Sequence, residues 1–207
     1  MSEDRRIQAV IWDLGGVILR TEDLTHRERW EARLGFEAWE LASLVFHSDM
    51  SHKASLGHAS VDDIWISVQT SLRLSDSERD ALRADFFAGD EVDDILMDFI
   101  REIHPQYKSG MITNAWPDLR SKIEDEIRIA DAFDKIVISS EVGIVKPDPR
   151  IYEIILNDFG IAPAQAVFVD DFMENVEGAH AVGMHALHFR NTSDAILDLK
   201  TLLHWDE

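Results

Sequence analysis

The sequence predicts an α/β fold, a doubly wound, Rossmann-like parallel sheet with an α-helical cap inserted after its first strand. Three observations predict it. Short apolar, β-branched runs alternate with segments of helical periodicity, a long stretch after the first run lacks any strand pattern, and polar or charged residues stand where successive apolar runs end. The runs cover 7–12, 107–112, 136–138, 166–169 and 185–188. Segments 118–129, 150–159, 174–182 and 195–203, with apolar residues three and four apart, predict the helices. Strands joined through helices pair in parallel, so this βαβ series winds one sheet.

Each element follows from its residues. The first run, read as IQAVIWDLGGV, stops abruptly at Asp13 and enters a Gly-Gly turn. A carboxylate at the end of a buried strand is costly to desolvate and asks for a cation, a reaction, or both. From Val17 to about Val92 amphipathic helices are predicted, first from Trp30, Leu34, Trp39, Leu41, Leu44 and Val45. Two more follow, from Ile64, Trp65, Val68 and Leu72, and from Ala81, Leu82, Phe86 and Phe87. The expected organisation is therefore a core domain, 1–17 with 92–207, and a helical cap domain, 18–91. Three of the six tryptophans fall in the cap, where their helical spacing predicts core positions.

Composition narrows the function. A net charge of −20 over 207 residues argues against nucleic acid or an anionic membrane surface as partner. A small anion binds only where local cations or helix amides overrule that field. The absence of cysteine excludes disulfides and thiol catalysis and suits a reducing, cytoplasmic setting. The charged start MSEDRR makes a poor signal peptide, and no uncharged run approaches the roughly 18 residues that span a bilayer. A cap helix stripe suits packing within one chain or against a second copy, so monomer and dimer both remain open.

Ligands of open α/β sheets gather beyond the carboxyl ends of the strands. Those ends carry Asp13, then Thr113 and Asn114, then Ser139, Ser140 and Glu141 with Lys146 close behind, then Asp170 and Asp171. They offer a nucleophile, hydroxyl and amide donors, a fixed cation and two further carboxylates. WDLGGV, MITNAW, VGIVKPDPRIY and VFVDDFMENVEGAHAVGM, in this order and spacing, resemble the four motifs of the haloacid dehalogenase-like hydrolase superfamily, in its branch with a helical cap. Within it the chain looks most like the bacterial sugar-1-phosphate phosphatase-like group, with the phosphatase domains of some epoxide hydrolases further away.

The resemblance implies a hydrolase of a small phosphorylated metabolite, a sugar phosphate as first expectation, with Asp13 attacking phosphorus to form an aspartyl-phosphate. It implies Mg²⁺ held by Asp13, the Gly15 carbonyl and Asp171, with Asp170 either a further ligand or a support behind them. It assigns Lys146 to balance the nucleophile and the phosphate, and Thr113 and Asn114 to bind the transferring oxygens. Physical need agrees, since two like charges about 4 Å apart repel by roughly 4 kcal/mol at an effective dielectric near 20. Asn175 either caps the last motif's helix or orients a metal ligand. Nine histidines show no metal-like spacing.

One departure stands out. Most phosphatases of this superfamily carry a second aspartate two residues after the nucleophile, as general acid and base; here Gly15 takes its place. Four readings follow. The proton comes from a cap or loop residue among Glu22, Asp23, His26, His47, Asp49, His52 and His58; the leaving group departs unaided; the leaving group is a halide, as in the related 2-haloacid dehalogenases; or the protein binds a phosphate ligand with little or no turnover. The paired Asp170 and Asp171, which serve a cation, favour the phosphatase.

Overall fold

The computed structural model describes residues 6–205; the charged start at 1–5 and the last two residues lie outside them. Five parallel strands form the predicted sheet: β1 (Ala9–Trp12), β4 (Lys108–Thr113), β5 (Lys135–Ile138), β6 (Ala166–Asp170) and β7 (His185–His188). Their order is β5-β4-β1-β6-β7, so the chain leaves the central β1, builds one side, and crosses back to build the other. That reversal opens a crevice at the carboxyl end of β1.

All four residues of β1 are buried, which explains its unbroken apolar run. Val10 and Trp12 face one core, shared with α6 (Asp94–Ile103) and α11 (Thr192–Leu203). Ala9 and Ile11 face the other, shared with α9 (Pro149–Phe159) and α10 (Met173–Ala181). Strand periodicity thus sends alternate side chains into two helical layers. The α9 helix is well punctuated, with Asp148 as N-cap, Pro149 in its first turn and Gly160 in the left-handed conformation at its end.

Residues between β1 and α6 form five helices: α1 (Thr25–Leu34), α2 (Glu40–Phe46), α3 (Asp49–Ser55), α4 (Val61–Leu72) and α5 (Asp76–Phe86). Leu41, Val45, Ile64, Trp65, Val68, Leu82 and Phe86 bury a separate core among them. Capping boxes start α4 at Ser60 with Asp63, and α5 at Ser75 with Glu78. Trp30 and Trp65 are core residues as expected. Trp39 is not: it is 62% exposed, with φ of 73° at the start of α2, because its place just outside the helix turns it from the packed stripe.

Three further differences have physical causes. The expected strandless stretch contains a short antiparallel ribbon, β2 (Leu19–Thr21) with β3 (Asp90–Val92), whose three-residue strands are too short to show periodicity. Helix α6 was not expected; five of its ten residues are buried, and it abuts the boundary assumed near 92. The helix predicted over 118–129 is broken into α7 (Leu119–Ser121) and a wider π turn (Lys122–Glu126), after which Arg128 adopts φ of 57°. Leu119, Ile123 and Ile129 all enter the first core along this irregular path. A short helix, α8 (Ser139–Val142), follows β5 directly. Among the described residues no helix is long and apolar enough to cross a membrane.

Asp93 ties the ribbon to the sheet layer. Its Oδ1 caps α6 by accepting from Leu96 N at 2.9 Å, and its Oδ2 accepts from Arg20 Nη1 at 2.6 Å and from the Thr192 hydroxyl. Burial opposes its charge, but the bonds from Thr192, Leu96 and Arg20 outweigh burial and hold its carboxyl below the ordinary value. A carboxylate with a depressed pKa adds stability that is present above its unfolded pKa near 3.9 and is lost as pH falls through the folded value. Asp93→Ala is therefore expected to cost about 1–3 kcal/mol at pH 7. Urea unfolding of both proteins should show that difference shrinking below about pH 4.

Candidate active site

The nucleophile loop is shaped by one carbonyl. Leu14 O accepts from Ile18 N at 2.9 Å and Leu19 N at 2.8 Å, while Gly16 N donates to Leu19 O at 2.9 Å, folding the chain tightly behind β1. Gly16 has φ of +79°, which favours glycine, and a Cβ there would lie 2.2 Å from Asp171 Oδ2, so any side chain at this turn would push that carboxylate aside.

Asp13 and Asp170 leave neighbouring strands at the crevice and share one cation. Lys146 Nζ lies 2.8 Å from Asp13 Oδ1 and 2.7 Å from Asp170 Oδ2, with 1% of its side chain exposed. The Phe168 ring lies beneath the ammonium at 5.3 Å. Asp13 Oδ1 also accepts from Leu14 N at 2.7 Å, whereas its Oδ2 has no hydrogen-bond partner among the described residues. One carboxylate oxygen is thus anchored and the other is open.

Asp170 is enclosed on every side. Its Oδ1 accepts from Phe172 N at 2.8 Å and Asn175 Nδ2 at 3.0 Å, and Asn175 Nδ2 also lies 3.1 Å from Oδ2. Asn175 thus braces a carboxylate, and Tyr152 fixes it in turn by donating to its carbonyl at 2.9 Å. Asp171 differs: its Oδ1 is buried without a partner among the described residues. Oxygens of Asp13, Asp170 and Asp171 all lie within 4.8 Å of one another.

Three carboxylates facing one ammonium leave two negative charges in excess. Burial raises the Asp13 carboxyl well above the ordinary range, with Asp170 and Asp171 adding to the rise and Lys146 opposing it. Burial and the Asp170 charge push Asp171 up to about 6. Burial also disfavours the Lys146 charge, but Asp13 and Asp170 overcome this and raise its pKa. An orphaned buried oxygen within an oxygen-only, over-charged cluster fits a hard divalent cation.

Thr113 ends β4 and is buried, and its hydroxyl makes no hydrogen bond among the described residues. Asn114 turns its side chain to the Lys146 backbone. Its Nδ2 donates to Lys146 O at 3.0 Å and its Oδ1 accepts from Lys146 N at 2.8 Å. This clamp aims the lysine. Ser139 ties the same loop to β5 by accepting from Ala115 N at 3.0 Å, while Glu141 turns away to pair with Arg120. Gly15 is exposed, and none of the described residues lies within 4 Å of a Cβ built on it.

No hydrogen bond or ion pair among the described residues joins a proposed substitute acid to this cluster. Glu22 pairs with Arg20, Asp23 accepts from Thr25 N and His26 contacts Asp85. His188 was not foreseen. It donates from Nε2 to Asp171 O at 2.9 Å, a contact set by the pairing of β7 with β6, which no local pattern reveals.

Known proteins resemble this chain in sequence and in fold. Residues 7–183 match the family model of haloacid dehalogenase-like hydrolases. The chain is 28% identical to a sesquiterpene phosphatase of Aspergillus oryzae, over 95% of this chain and 96% of that protein. It is 32% identical over 98 residues to rat bifunctional epoxide hydrolase 2, a match spanning 45% of this chain but only 18% of that protein. A HAD family enzyme of Bacteroides thetaiotaomicron, solved with magnesium and inorganic phosphate, superposes with a TM-score of 0.72 at 18% identity, covering 89% of this chain and 94% of that one.

Gly16→Ala is expected to displace the Asp171 carboxylate. Its apparent affinity for Mg²⁺, read from metal-dependent thermal stabilisation, should fall roughly 10–100-fold while the unliganded protein stays folded.

Proposed function

The chain belongs to the haloacid dehalogenase-like hydrolase family, and from that premise we propose that it is a Mg²⁺-dependent phosphatase of a small phosphorylated metabolite. The observation that carries this reading is the split environment of Asp13, one oxygen held by Lys146 and Leu14 N, the other free. Asp13 Oδ2 attacks phosphorus in line, the ester P–O bond breaks, and the electron pair leaves on the alcohol oxygen. Water then attacks the aspartyl-phosphate, releasing inorganic phosphate and restoring the carboxylate.

Asp13, Asp171 and the Gly15 carbonyl would hold Mg²⁺, which when bound neutralises the excess charge and polarises the phosphate oxygens. Lys146 stays charged and screens the carboxylate from the incoming phosphate, Asp170 and Asn114 keep it in place, and the Thr113 hydroxyl is free to donate to a phosphate oxygen. In this reading Asp170 positions Lys146, because both of its oxygens are already bonded. Helices α1–α5, within residues 18–91, act as the cap that shields the crevice from water. The absence of cysteine is in keeping with a cytoplasmic enzyme. Sugar phosphates, suggested by the sequence, and apolar phosphates, as in the Aspergillus relative, both belong in the substrate panel.

With Gly15 in place of an acid, the departing oxygen takes its proton from solvent, so aryl phosphates, whose leaving groups need little help, should turn over fastest. Mg²⁺-dependent release of p-nitrophenol is the expected activity, and Asp13→Asn should reduce it by roughly 10³-fold or more. Persistence of the activity in that variant would remove Asp13 as nucleophile. Because the space beside Gly15 is open, Gly15→Asp should fit and accelerate alkyl phosphates by about 10–100-fold, with a much smaller gain on aryl phosphates. Comparing kcat for the two ester classes measures this.

A further inference from the structure

Exposed apolar side chains lie on segments that adjoin the strand ends of this charged site. Phe172 directly follows the two aspartates, its amide 2.8 Å from Asp170 Oδ1, yet its side chain is 57% exposed, and Met173 beside it is 48% exposed. Both stand at the carboxyl end of β6. At the end of β4, the loop that carries Thr113 and Asn114 reaches Trp116 within about 10 Å of chain. Trp116 packs against Phe46 of α2 at 5.7 Å between ring centroids and donates from Nε1 to Ser51 Oγ at 2.9 Å. Phe46 stays 43% exposed although it touches Phe86 at 5.2 Å as well. Between these two ends lies β1, with the exposed Gly15 and the open space beside it.

Exposing such side chains is unfavourable unless something covers them, and apolar surface beside a polar centre marks a ligand groove. A polyol would call for donors and acceptors where Phe46, Phe172 and Met173 offer none. We propose that these three residues form the leaving-group subsite, and that the substrate is a phosphate monoester of an apolar alcohol rather than of a sugar. The charged end of such a molecule suits Lys146 and the cation-seeking carboxylates, while its tail suits the rim. The inference rests on the reading of Asp13 and Asp171 as the phosphate end of the site.

Two measurements on the full chain test it. Binding of ethyl-, butyl-, hexyl- and octylphosphonate with Mg²⁺, followed by calorimetry below micellar concentrations, needs no turnover. Affinity should rise roughly twofold per methylene, as for a half-enclosed chain. Turnover of the matching n-alkyl phosphates should exceed that of glycerol 3-phosphate, an equally primary ester, by tenfold or more in kcat/KM for the octyl member. Phe46→Ala and Phe172→Ala should each cut that preference at least threefold, mainly through KM. Leu197→Ala, which removes a still more exposed apolar side chain from α11, should leave it unchanged.

Affinity independent of chain length, or an equal effect of the phenylalanine variants on octyl and glycerol phosphates, overturns the proposal. So does a rim that proves to be a contact between two copies of the chain, shown by Phe172→Ala converting a dimer to a monomer without changing the preference. Chain-length-dependent binding without any phosphate release would leave the subsite standing and remove the phosphatase reading instead.

Discussion

The ammonium of Lys146, buried between Asp13 and Asp170, is the contact on which the rest of the site is built. Three charges removed from water are tolerable only when paired closely and hydrogen-bonded further, and losing one partner of such a group typically costs about 3–5 kcal/mol. The surrounding residues supply that support. Asn114 grips the Lys146 backbone by both amide atoms, and Asn175 with the Phe172 amide saturates Asp170. The carboxyl ends of β1, β4 and β6 are thereby fixed relative to one another, and Asp13 is left with one free oxygen.

The same loops join the two layers of the molecule. Trp116, three residues beyond Thr113, is buried in the core of the α1–α5 layer and bonded to Ser51. From that layer Phe87 reaches back to lie under the Lys122 ammonium at 5.1 Å, on the π turn that follows the same loop. Arg27 closes the opposite junction, donating to Phe86 O at 2.6 Å and pairing with Asp90 on the ribbon at 3.0 Å. A segment that leaves the end of β4 at the crevice and buries its indole among the helices joins the two layers directly.

A chain of net charge −20 is an unpromising host for the phosphate ester proposed as its substrate. The site answers with a local arrangement: one enclosed cation, and a carboxylate cluster whose unpartnered Asp171 oxygen suits a second. Long-range repulsion falls off within about 8–10 Å at physiological salt, whereas the contacts inside the crevice are hardly screened. Apolar burial at the rim would add affinity that this field does not oppose, since a hydrocarbon tail carries no charge.

Much of this was legible in the residues. The unbroken apolar run of β1, the alternation of strands and helices, and the polar residues at successive strand ends specify a parallel sheet with a site at its carboxyl edge, because periodicity and abrupt polarity changes are local properties of a chain. The ribbon β2–β3, the broken helix at 119–126 and the exposed Trp39 were not legible, since three-residue strands, a π turn and a left-handed residue at a helix start leave no periodic pattern. Asp13, Lys146, Asp170 and Asp171 could be singled out from the sequence. That Asn114 serves Lys146, and that Asp170 is saturated while Asp171 is not, were decided only when the tertiary fold set hydrogen-bond distances between strands the sequence keeps far apart.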